Sequence, residues 1–452
     1  MNANPETTPL ADWVKAKIGL SREKTMRSSD LVRYQVHRLR RVIRYARGNS
    51  PFYRERLGGL PDNFLYGPED LAAVPFTTET DLRERHPDML CVSQSEVSRV
   101  VTLQTSGATA SPKRLYFTDE DLELTVDFFH HGMTTLARQG DRVMILMPGH
   151  TPGSIGDLLK KALTRMNARG FVYGPVTDPG HAVEALLKVQ PHCLVGLPVQ
   201  VLGLVRHPRS HNIPPGLIKS VLLSADYVPG AIVEEVEGRF NAPVFEHYGM
   251  TEMGLGGGVQ CEVRKGYHLR EADLFFEVID PQSGIPLADG EPGEIVFTTL
   301  TRRGMPLIRY RTGDLGQFLA EPCPCGSSLR RLGKVHGRIA GRIRLLEGGI
   351  LTLPEMDEVL FKVPSLLNYL TELKLRDGKD CLSIQVHTVS DTSPEVLGEI
   401  ETRLMKIPSV EKAVTEGRLL LGPVSRSPSD WPTTGTIKRI LVDNRRMQRT
   451  SI

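Results

Sequence analysis

The sequence predicts an α/β protein with a large N-terminal domain of parallel α/β sheets plus a β-barrel-like subdomain, and a small mobile α+β C-terminal domain. Two observations carry this prediction. Short apolar runs alternate with helix-like segments between Asp121 and Phe245, which is typical of parallel sheets covered by helices on both faces. Beyond Gly257, alternating apolar residues stand between turns rich in Gly, Pro and Asp, which favours antiparallel strands.

The alternating region predicts buried strands and amphipathic helices in turn. The strands are Val143–Met147, Cys193–Leu197, Ile218–Leu223 and Val244–Phe245. The helices are Ile155–Arg165, Ala182–Val189, Val199–Val205 and Ile232–Phe240. Ligands of such sheets bind beyond the carboxyl ends of the strands, so the loops after these strands are the expected place for a site.

An amphipathic helix is predicted near the N-terminus, from Leu31 to Arg47, because its apolar residues recur at spacings of three and four. Gly48 follows directly and predicts the end of the helix. The basic stretch Arg38–Arg41 lies within it. We interpret this stretch as a solvated helix face rather than a site for an anionic partner.

The last part of the chain predicts further strands and a separate small domain. Antiparallel strands are expected at Leu274–Ile279 and Glu294–Leu300. After Arg342, the pattern predicts two helices and a hairpin around Asp377-Gly378, at Pro354–Phe361, Pro394–Met405, Tyr369–Leu375 and Cys381–His387. We therefore predict an N-terminal domain over residues 1–341 and a C-terminal domain over residues 342–452.

Composition argues against several classes of protein. Of 452 residues, 40% are hydrophobic and 24% are charged, which is ordinary for a globular protein. Lys and Arg (56) against Asp and Glu (53) leave a net charge of +3 without a basic block, so a nucleic-acid partner is not expected. Neither a bilayer-spanning run nor a secretory signal is visible, which predicts a cytoplasmic protein without a membrane partner.

The segment from Thr105 to Lys113 has the composition of a phosphate-binding loop. It combines four hydroxyl side chains, the flexible Gly107 and a following lysine. Small residues let backbone amides approach phosphate oxygens, hydroxyls donate to those oxygens, and an ammonium neutralises their charge. The spacing of the common P-loop is absent, so this segment alone identifies no family.

Further motifs follow downstream in a fixed order. They are His247-Tyr248-Gly249-Met250-Thr251-Glu252, Tyr310-Arg311-Thr312-Gly313-Asp314, Gly341-Arg342 and Gly435-Thr436-Ile437-Lys438-Arg439. With the hydroxyl-rich loop, this order resembles the adenylate-forming superfamily of acyl- and aryl-CoA synthetases, and within it most closely the phenylacetate–CoA ligase family. Two N-terminal segments, Asn49–Tyr53 and Val74–Thr78, also resemble that family, so the similarity covers nearly the whole chain.

The resemblance implies an ATP-dependent carboxylic acid–CoA ligase that works through an acyl-adenylate and releases AMP and pyrophosphate. The implied partners are ATP, coenzyme A and a small carboxylic acid, while an aromatic acid and a homodimer are left open. Two alternatives also stay open. One is an adenylating enzyme with another acceptor, such as a carrier protein, an amine or a coenzyme hydroxyl. The other is a catalytically weak nucleotide-binding homologue.

The resemblance also implies the nucleotide-binding residues. In this chain they are Thr105, Ser106, Gly107, Thr109, Lys113, Ser224, Ala225, Asp226, Tyr248, Gly249, Asp314 and Arg342. Tyr248 would stack on adenine, and the carboxylate of Asp314 would accept both ribose hydroxyls. Three catalytic residues are implied as well: Thr251 at the α-phosphate, Glu252 as the magnesium ligand, and Lys438 in the C-terminal loop.

The chain departs from the family pattern in the phosphate loop, after Arg342, where Ile343 and Arg344 replace acidic residues, and in the C-terminal loop. The family has its catalytic lysine where this chain has Thr436, and Lys438 lies two residues later. In an extended segment, residues two apart point to the same side, so Lys438 would reach the same phosphate from a shifted start. The lysine of the phosphate loop is displaced in the same way, because Ser111 stands at its usual position and Lys113 follows.

A structural zinc site is predicted from Cys261, His268, Cys323 and Cys325. Three thiolates and one imidazole make a closed tetrahedral ligand set, and a Cys-Pro-Cys-Gly turn has little use as plain core. Similar Cys/His positions in relatives of phenylacetate–CoA ligase support this interpretation. The alternative is that these cysteines are buried hydrophobic residues, as we expect for Cys91, Cys193 and Cys381.

Overall fold

The computed structural model describes residues 8–21, 23–103, 111–346, 348–389, 393–427, 439 and 441–445. The α-helices are α1 (Pro9–Lys17), α2 (Ser28–Asn49), α3 (Pro51–Leu57), α4 (Glu79–Glu84), α5 (Asp119–Met133), α6 (Ile155–Arg165), α7 (Pro179–Val189), α8 (Pro198–Arg206), α9 (Gly230–Phe240), α10 (Leu353–Leu360), α11 (Pro394–Leu404) and α12 (Pro408–Thr415). Among the helices of the described ranges, none is both long enough and apolar enough to cross a membrane.

The strands are β1 (Arg99–Leu103), β2 (Lys113–Phe117), β3 (Arg142–Ile145), β4 (Arg169–Val172), β5 (Cys193–Gly196), β6 (Ser220–Leu223), β7 (Val244–Tyr248), β8 (Gly258–Val259), β9 (Tyr267–Leu269), β10 (Leu274–Ile279), β11 (Gly293–Thr299), β12 (Tyr310–Gly316), β13 (Arg331–Leu332), β14 (Ile343–Arg344), β15 (Ile350–Leu351), β16 (Leu366–Arg376), β17 (Lys379–Thr388), β18 (Leu419–Arg426) and β19 (Leu441–Asp443). In the middle of the chain, from β3 to β7, strands alternate with α-helices. From β8 to β13, strands follow one another without an α-helix between them. The chain divides into two compact units.

The first unit comprises Met1–Gly140, Gly149–Gly170 and Phe245–Val335. It contains the antiparallel pair β1–β2, a three-stranded antiparallel sheet in the order β10-β11-β12, and antiparallel strands in the order β13-β9-β8-β7. Its core joins apolar side chains of α2, such as Leu39, to those of the antiparallel sheet, such as Phe297. The antiparallel strands predicted beyond Gly257 are therefore confirmed.

The second unit comprises Asp141–Pro148, Phe171–Val244 and His336–Ile452. Strands β6, β5 and β3 lie side by side in a parallel sheet, as the alternating pattern predicted. A four-stranded sheet in the order β18-β17-β16-β19 follows later in the chain. One hydrophobic core contains both Leu194 of β5 and Leu382 of β17. The domain boundary predicted at Arg342 stays a prediction.

Element bounds agree best with the sequence where the apolar pattern is strongest. Helix α6 and strand β10 have the predicted bounds. The predicted hairpin is confirmed as the antiparallel pair β16–β17. Its turn residues Asp377 and Gly378 both have positive φ, 51° and 74°, which matches the right-handed twist of the strands that the turn joins.

The predicted end of α2 is wrong, because the helix continues through Gly48 to Asn49. A glycine inside a helix costs only about 1 kcal/mol, which packing of the apolar face outweighs. The helix ends instead where the next begins. Ser50 caps α3 by accepting a hydrogen bond from the Tyr53 amide at 3.2 Å, and Pro51 is the first residue of that helix.

The basic stretch of α2 contributes to packing of the first unit. The Arg38 side chain donates to the Leu300 carbonyl oxygen at 3.3 Å, and Arg40 donates to the Leu65 carbonyl oxygen at 2.6 Å. These guanidinium groups thus satisfy backbone acceptors of neighbouring segments. Arg38 is half-buried, whereas Arg40 and Arg41 are exposed, so the stretch is the largely solvated helix face that was predicted.

Candidate active site

Two residues predicted to bind the nucleoside meet in the first unit. Tyr248 ends β7 and Asp314 lies in β12, 66 positions further along the chain. The Tyr248 hydroxyl donates to an Asp314 carboxylate oxygen at 3.0 Å, and both side chains are buried. Tertiary structure therefore joins the two motifs, and the hydrogen bond orients the carboxylate predicted to accept the ribose hydroxyls.

A tight turn follows Tyr248 and positions the two catalytic candidates Thr251 and Glu252. The turn is a short 3-10 helix, Thr251–Met253, closed by Gly254 at a φ of +74°. Gly249 is required for this path, because a Cβ atom there would lie 2.4 Å from the carbonyl oxygen of Leu255. The motif thus encodes a backbone conformation as well as its side chains.

Glu252 is buried and lies among polar side chains from distant segments. Its Oε1 atom is 2.7 Å from the ammonium nitrogen of Lys113 at the start of β2. The hydroxyl of Tyr310 lies 3.4 Å from the same oxygen. The sequence motifs predict separate roles for Lys113 and Glu252 and none for Tyr310, so the contacts among the three come from the tertiary structure.

Arg302 is a further charged residue near Glu252 that the sequence analysis missed. Its guanidinium lies over the ring of Phe117, 5.0 Å from the centroid, and its side chain is buried. Burial lowers the pKa of Arg302 to about 10, although the nearby charge of Asp121 opposes that shift. In the sequence, Arg302 is one of two adjacent arginines between β11 and β12, which is too weak a signal to assign a function.

The predicted adenine loop, Ser224-Ala225-Asp226, lies in the second unit directly after β6. Ala225 has a φ of +71°, a strained conformation for a residue with a Cβ atom, and such strain concentrates at functional sites. Asp226 accepts from the backbone amide of Tyr227 at 2.9 Å and from the guanidinium of Arg439 at 3.2 Å. The loop is therefore held by a residue of the C-terminal motif.

Arg439 is fixed by a second carboxylate as well. Both terminal nitrogens of its guanidinium donate to the two oxygens of Asp357 at 2.6 Å. Burial raises the pKa of the Asp357 carboxyl, and the charge of Arg439 opposes that rise. Two carboxylates thus neutralise Arg439, so it is poorly suited to supply the positive charge that Thr436 lacks.

The remaining nucleotide-binding candidates divide into two groups. Arg342 is exposed and follows a short 3-10 helix, Ile339–Gly341. Thr105, Ser106, Gly107 and Thr109 of the phosphate loop, and Lys438 of the C-terminal loop, lie outside the described residues. The phosphate loop connects β1 to β2, which pair in an antiparallel register with Leu103 opposite Lys113.

The four residues predicted to bind zinc converge in the first unit. The Sγ atoms of Cys261 and Cys323 are 3.8 Å apart, and Cys325 Sγ lies 3.4 Å from His268 Nε2. All four ligand atoms lie within 4.8 Å of one another, and all four residues are buried. Burial lowers the pKa of His268 to about 4, so its imidazole is neutral, which is the form that binds a metal.

The chain is similar in sequence to a known enzyme family. A family model described as AMP-binding enzyme matches residues 69–300. The phenylacetate-coenzyme A ligase of Thermus thermophilus is 30% identical over 371 residues, covering 78% of this chain and 80% of that protein. The phenylacetate-coenzyme A ligase of Pseudomonas putida is 29% identical over 390 residues, covering 83% of this chain and 85% of that protein.

Solved structures show the same fold. The structure of 2-hydroxyisobutyryl-CoA ligase in complex with 2-HIB-AMP, in its postadenylation state, has a TM-score of 0.79 and 23% identity, covering 95% of this chain and 93% of that chain. The matched family model spans more than half of the 452 residues. The chain therefore belongs to the family of AMP-binding enzymes.

Proposed function

We propose that the protein is an ATP-dependent carboxylic acid–CoA ligase that works through an acyl-adenylate and releases AMP and pyrophosphate. The observation that carries this proposal is the hydrogen bond between Tyr248 and Asp314, because it joins the adenine and ribose candidates of two separate motifs. The named relatives support a small carboxylic acid as substrate, with phenylacetate the first acid to test.

The reaction proceeds in two steps. A carboxylate oxygen of the acid attacks the α-phosphorus of ATP, the bond to pyrophosphate breaks, and an acyl-adenylate forms. The thiolate of coenzyme A then attacks the acyl carbon, and AMP leaves. Little covalent chemistry falls to the protein in either step, so positioning and neutralisation of charge account for most of the catalysis.

Particular side chains have proposed roles in these steps. Tyr248 stacks on adenine, Asp314 accepts the ribose hydroxyls, and the hydroxyl of Thr251 donates to the α-phosphate. Lys438 neutralises the α-phosphate and the incoming carboxylate during adenylation. Arg342 contacts the ribose or a phosphate.

Glu252 is the proposed magnesium ligand. Its buried carboxylate provides the hard oxygen donor that magnesium prefers, so the residue fits this role. When bound, magnesium supplies a Lewis acid that neutralises charge on the phosphate chain.

Pyrophosphate exchange into ATP tests the first step directly. We expect exchange that depends on an added carboxylic acid, measured over a panel that begins with phenylacetate and includes short hydroxy acids. Adding coenzyme A should then yield a thioester detectable by mass spectrometry. Acid-dependent exchange without a thioester would indicate another acceptor, and nucleotide binding without exchange would contradict the proposed activity.

We also propose that Cys261, His268, Cys323 and Cys325 hold a structural zinc ion. Ligand atoms about 2.0–2.3 Å from a tetrahedral zinc lie roughly 3.3–3.8 Å from each other. The Cys261–Cys323 and Cys325–His268 separations, 3.8 and 3.4 Å, fall in that range. They are also far longer than the roughly 2 Å bond of a disulfide.

Removing the zinc ligands is expected to lower stability. Elemental analysis of protein purified without added metal should find about one zinc per chain. The double variant Cys323→Ser, Cys325→Ser should lose the metal and melt at a lower temperature, because metal binding contributes to the free energy of folding. Cys91→Ala, at a buried cysteine outside the cluster, should keep its zinc. Metal-free wild-type protein with an unchanged melting temperature would contradict the proposal.

A further inference from the structure

The ion pair between Lys113 and Glu252 is buried on both sides. The ammonium lies 2.7 Å from the carboxylate, and their side chains are 8% and 3% exposed. The carboxylate of Glu79 is also near the ammonium, but it lies 3.6 Å away and its side chain is 43% exposed. The cation that pairs with Glu252 is therefore the ammonium of Lys113, a group of the chain itself.

Strand register explains why this lysine points inward. In β2, Lys113, Leu115 and Phe117 are buried, whereas the residues between them are more exposed. Successive side chains of a strand alternate between faces, so a lysine at position 113 faces the core of the first unit. A lysine at position 111, where the resembled family has it, would lie before the strand, and nothing in the alternation of β2 would direct it to Glu252.

In a buried ion pair, each charge is stabilised by the other. Removing either partner leaves the other charge buried without compensation, which costs far more than the loss of an exposed pair. The lysine stem is flexible and its ammonium is a compact cation, so the group can exchange one anionic partner for another nearby. Lys113 directly follows the segment proposed to hold the phosphates of ATP, which offers such a partner.

We propose that Lys113 is a built-in counter-cation that occupies Glu252 in the nucleotide-free enzyme and transfers to the phosphates of ATP when a divalent cation binds Glu252. This inference rests on the proposed function, because it takes Glu252 as the metal ligand. It has two consequences. Lys113 competes with the metal in the absence of nucleotide, and it contributes to ATP binding once the metal is bound. Metal and nucleotide therefore bind cooperatively.

Manganese binding, followed by electron paramagnetic resonance, measures this competition without relying on activity. In nucleotide-free protein, Lys113→Met should bind Mn²⁺ roughly tenfold more tightly than wild type, because the competing ammonium is gone. With Mn²⁺ saturating, the same variant should bind ATP roughly tenfold more weakly. Lys161→Met is a matched control, since Lys161 pairs with Asp157 at 2.9 Å but is exposed, and both affinities should equal those of wild type.

Stability provides a second readout. Lys113→Met removes the ammonium that lies 2.7 Å from the buried carboxylate of Glu252, so the melting temperature of the variant should fall and should recover when Mn²⁺ is added. The double variant Lys113→Met, Glu252→Gln buries neither charge, so it should fold without metal and bind Mn²⁺ no more tightly than Glu252→Gln alone. Folding of Lys113→Met that requires Mn²⁺ would support the proposal in the same way as tighter binding.

The outcomes separate this inference from the proposed function. One outcome is that Glu252→Gln abolishes Mn²⁺ binding in the presence of ATP while Lys113→Met binds Mn²⁺ with wild-type affinity. In that case Lys113 does not compete with the metal, and Glu252 is still the metal ligand. If Glu252→Gln binds Mn²⁺ and ATP as wild type does and still adenylates the acid, the metal assignment fails and the inference fails with it.

Discussion

Glu252→Gln is expected to reduce acid-dependent pyrophosphate exchange by about 10²–10³-fold, equivalent to roughly 3–4 kcal/mol of transition-state stabilisation. The neutral amide is a poor ligand for a hard cation, so charge that develops on the phosphates loses its compensation. The variant should also melt at a lower temperature, because Lys113 is left buried without its counter-ion.

A buried glutamate outside the site separates these two effects. Glu277 pairs with Arg309 at 2.9 Å, and both side chains are buried. Glu277→Gln should therefore lose stability, by about 3–5 kcal/mol for a broken buried pair, while the folded variant keeps its exchange rate. Wild-type exchange in Glu252→Gln would show that the carboxylate has no part in adenylation.

Lys438→Ala is expected to depress formation of the acyl-adenylate by about 10²–10³-fold, because one positive charge at the α-phosphate and the attacking carboxylate is lost. Formation of the thioester from a pre-made acyl-adenylate should stay within about twofold of wild type, since that phosphorus is no longer attacked. Single-turnover kinetics with and without a pre-made adenylate measure the two steps separately.

Two further variants test whether Lys438 has replaced the lysine missing at position 436. Thr436→Lys should change adenylation little if Lys438 already supplies the charge, and should raise it if the chain lacks that charge. Lys412→Ala, at an exposed lysine of α12, should leave both steps unaltered. Unchanged adenylation in Lys438→Ala would mean that another cation supplies the positive charge at the α-phosphate. Arg439 is a poor candidate, because Asp357 and Asp226 already neutralise it.

The local periodicity of apolar residues predicts much of the fold. Helix α6 and strand β10 have the bounds that their apolar periodicity predicts, because a helix or a strand with one buried face must repeat at its own period. The end of α2 was misjudged, since a glycine stop signal is weak beside the packing of a long apolar face. Tertiary context decided that boundary.

The motifs named the candidate site residues, and the chemistry of Cys and His side chains named the four residues of the proposed zinc site. Cys261 and Cys323 are 62 positions apart and still converge, as the chemistry of the ligand set predicted. Motif order alone singled out Tyr248, Glu252 and Asp314. Residue types and their spacing thus determined which chemistry the chain is built for.

Only the tertiary structure decided which of these groups touch. The partnership of Lys113 with Glu252 spans 139 positions, and that of Arg439 with Asp226 spans 213. Such contacts depend on strand register and on which faces pack together, and a shift of one residue in β2 would turn Lys113 away from the core. The sequence therefore determined the family and the candidate chemistry. Long-range packing determined the charge arrangement around Glu252, because the energy of a buried ion pair depends on a geometry that no local pattern encodes.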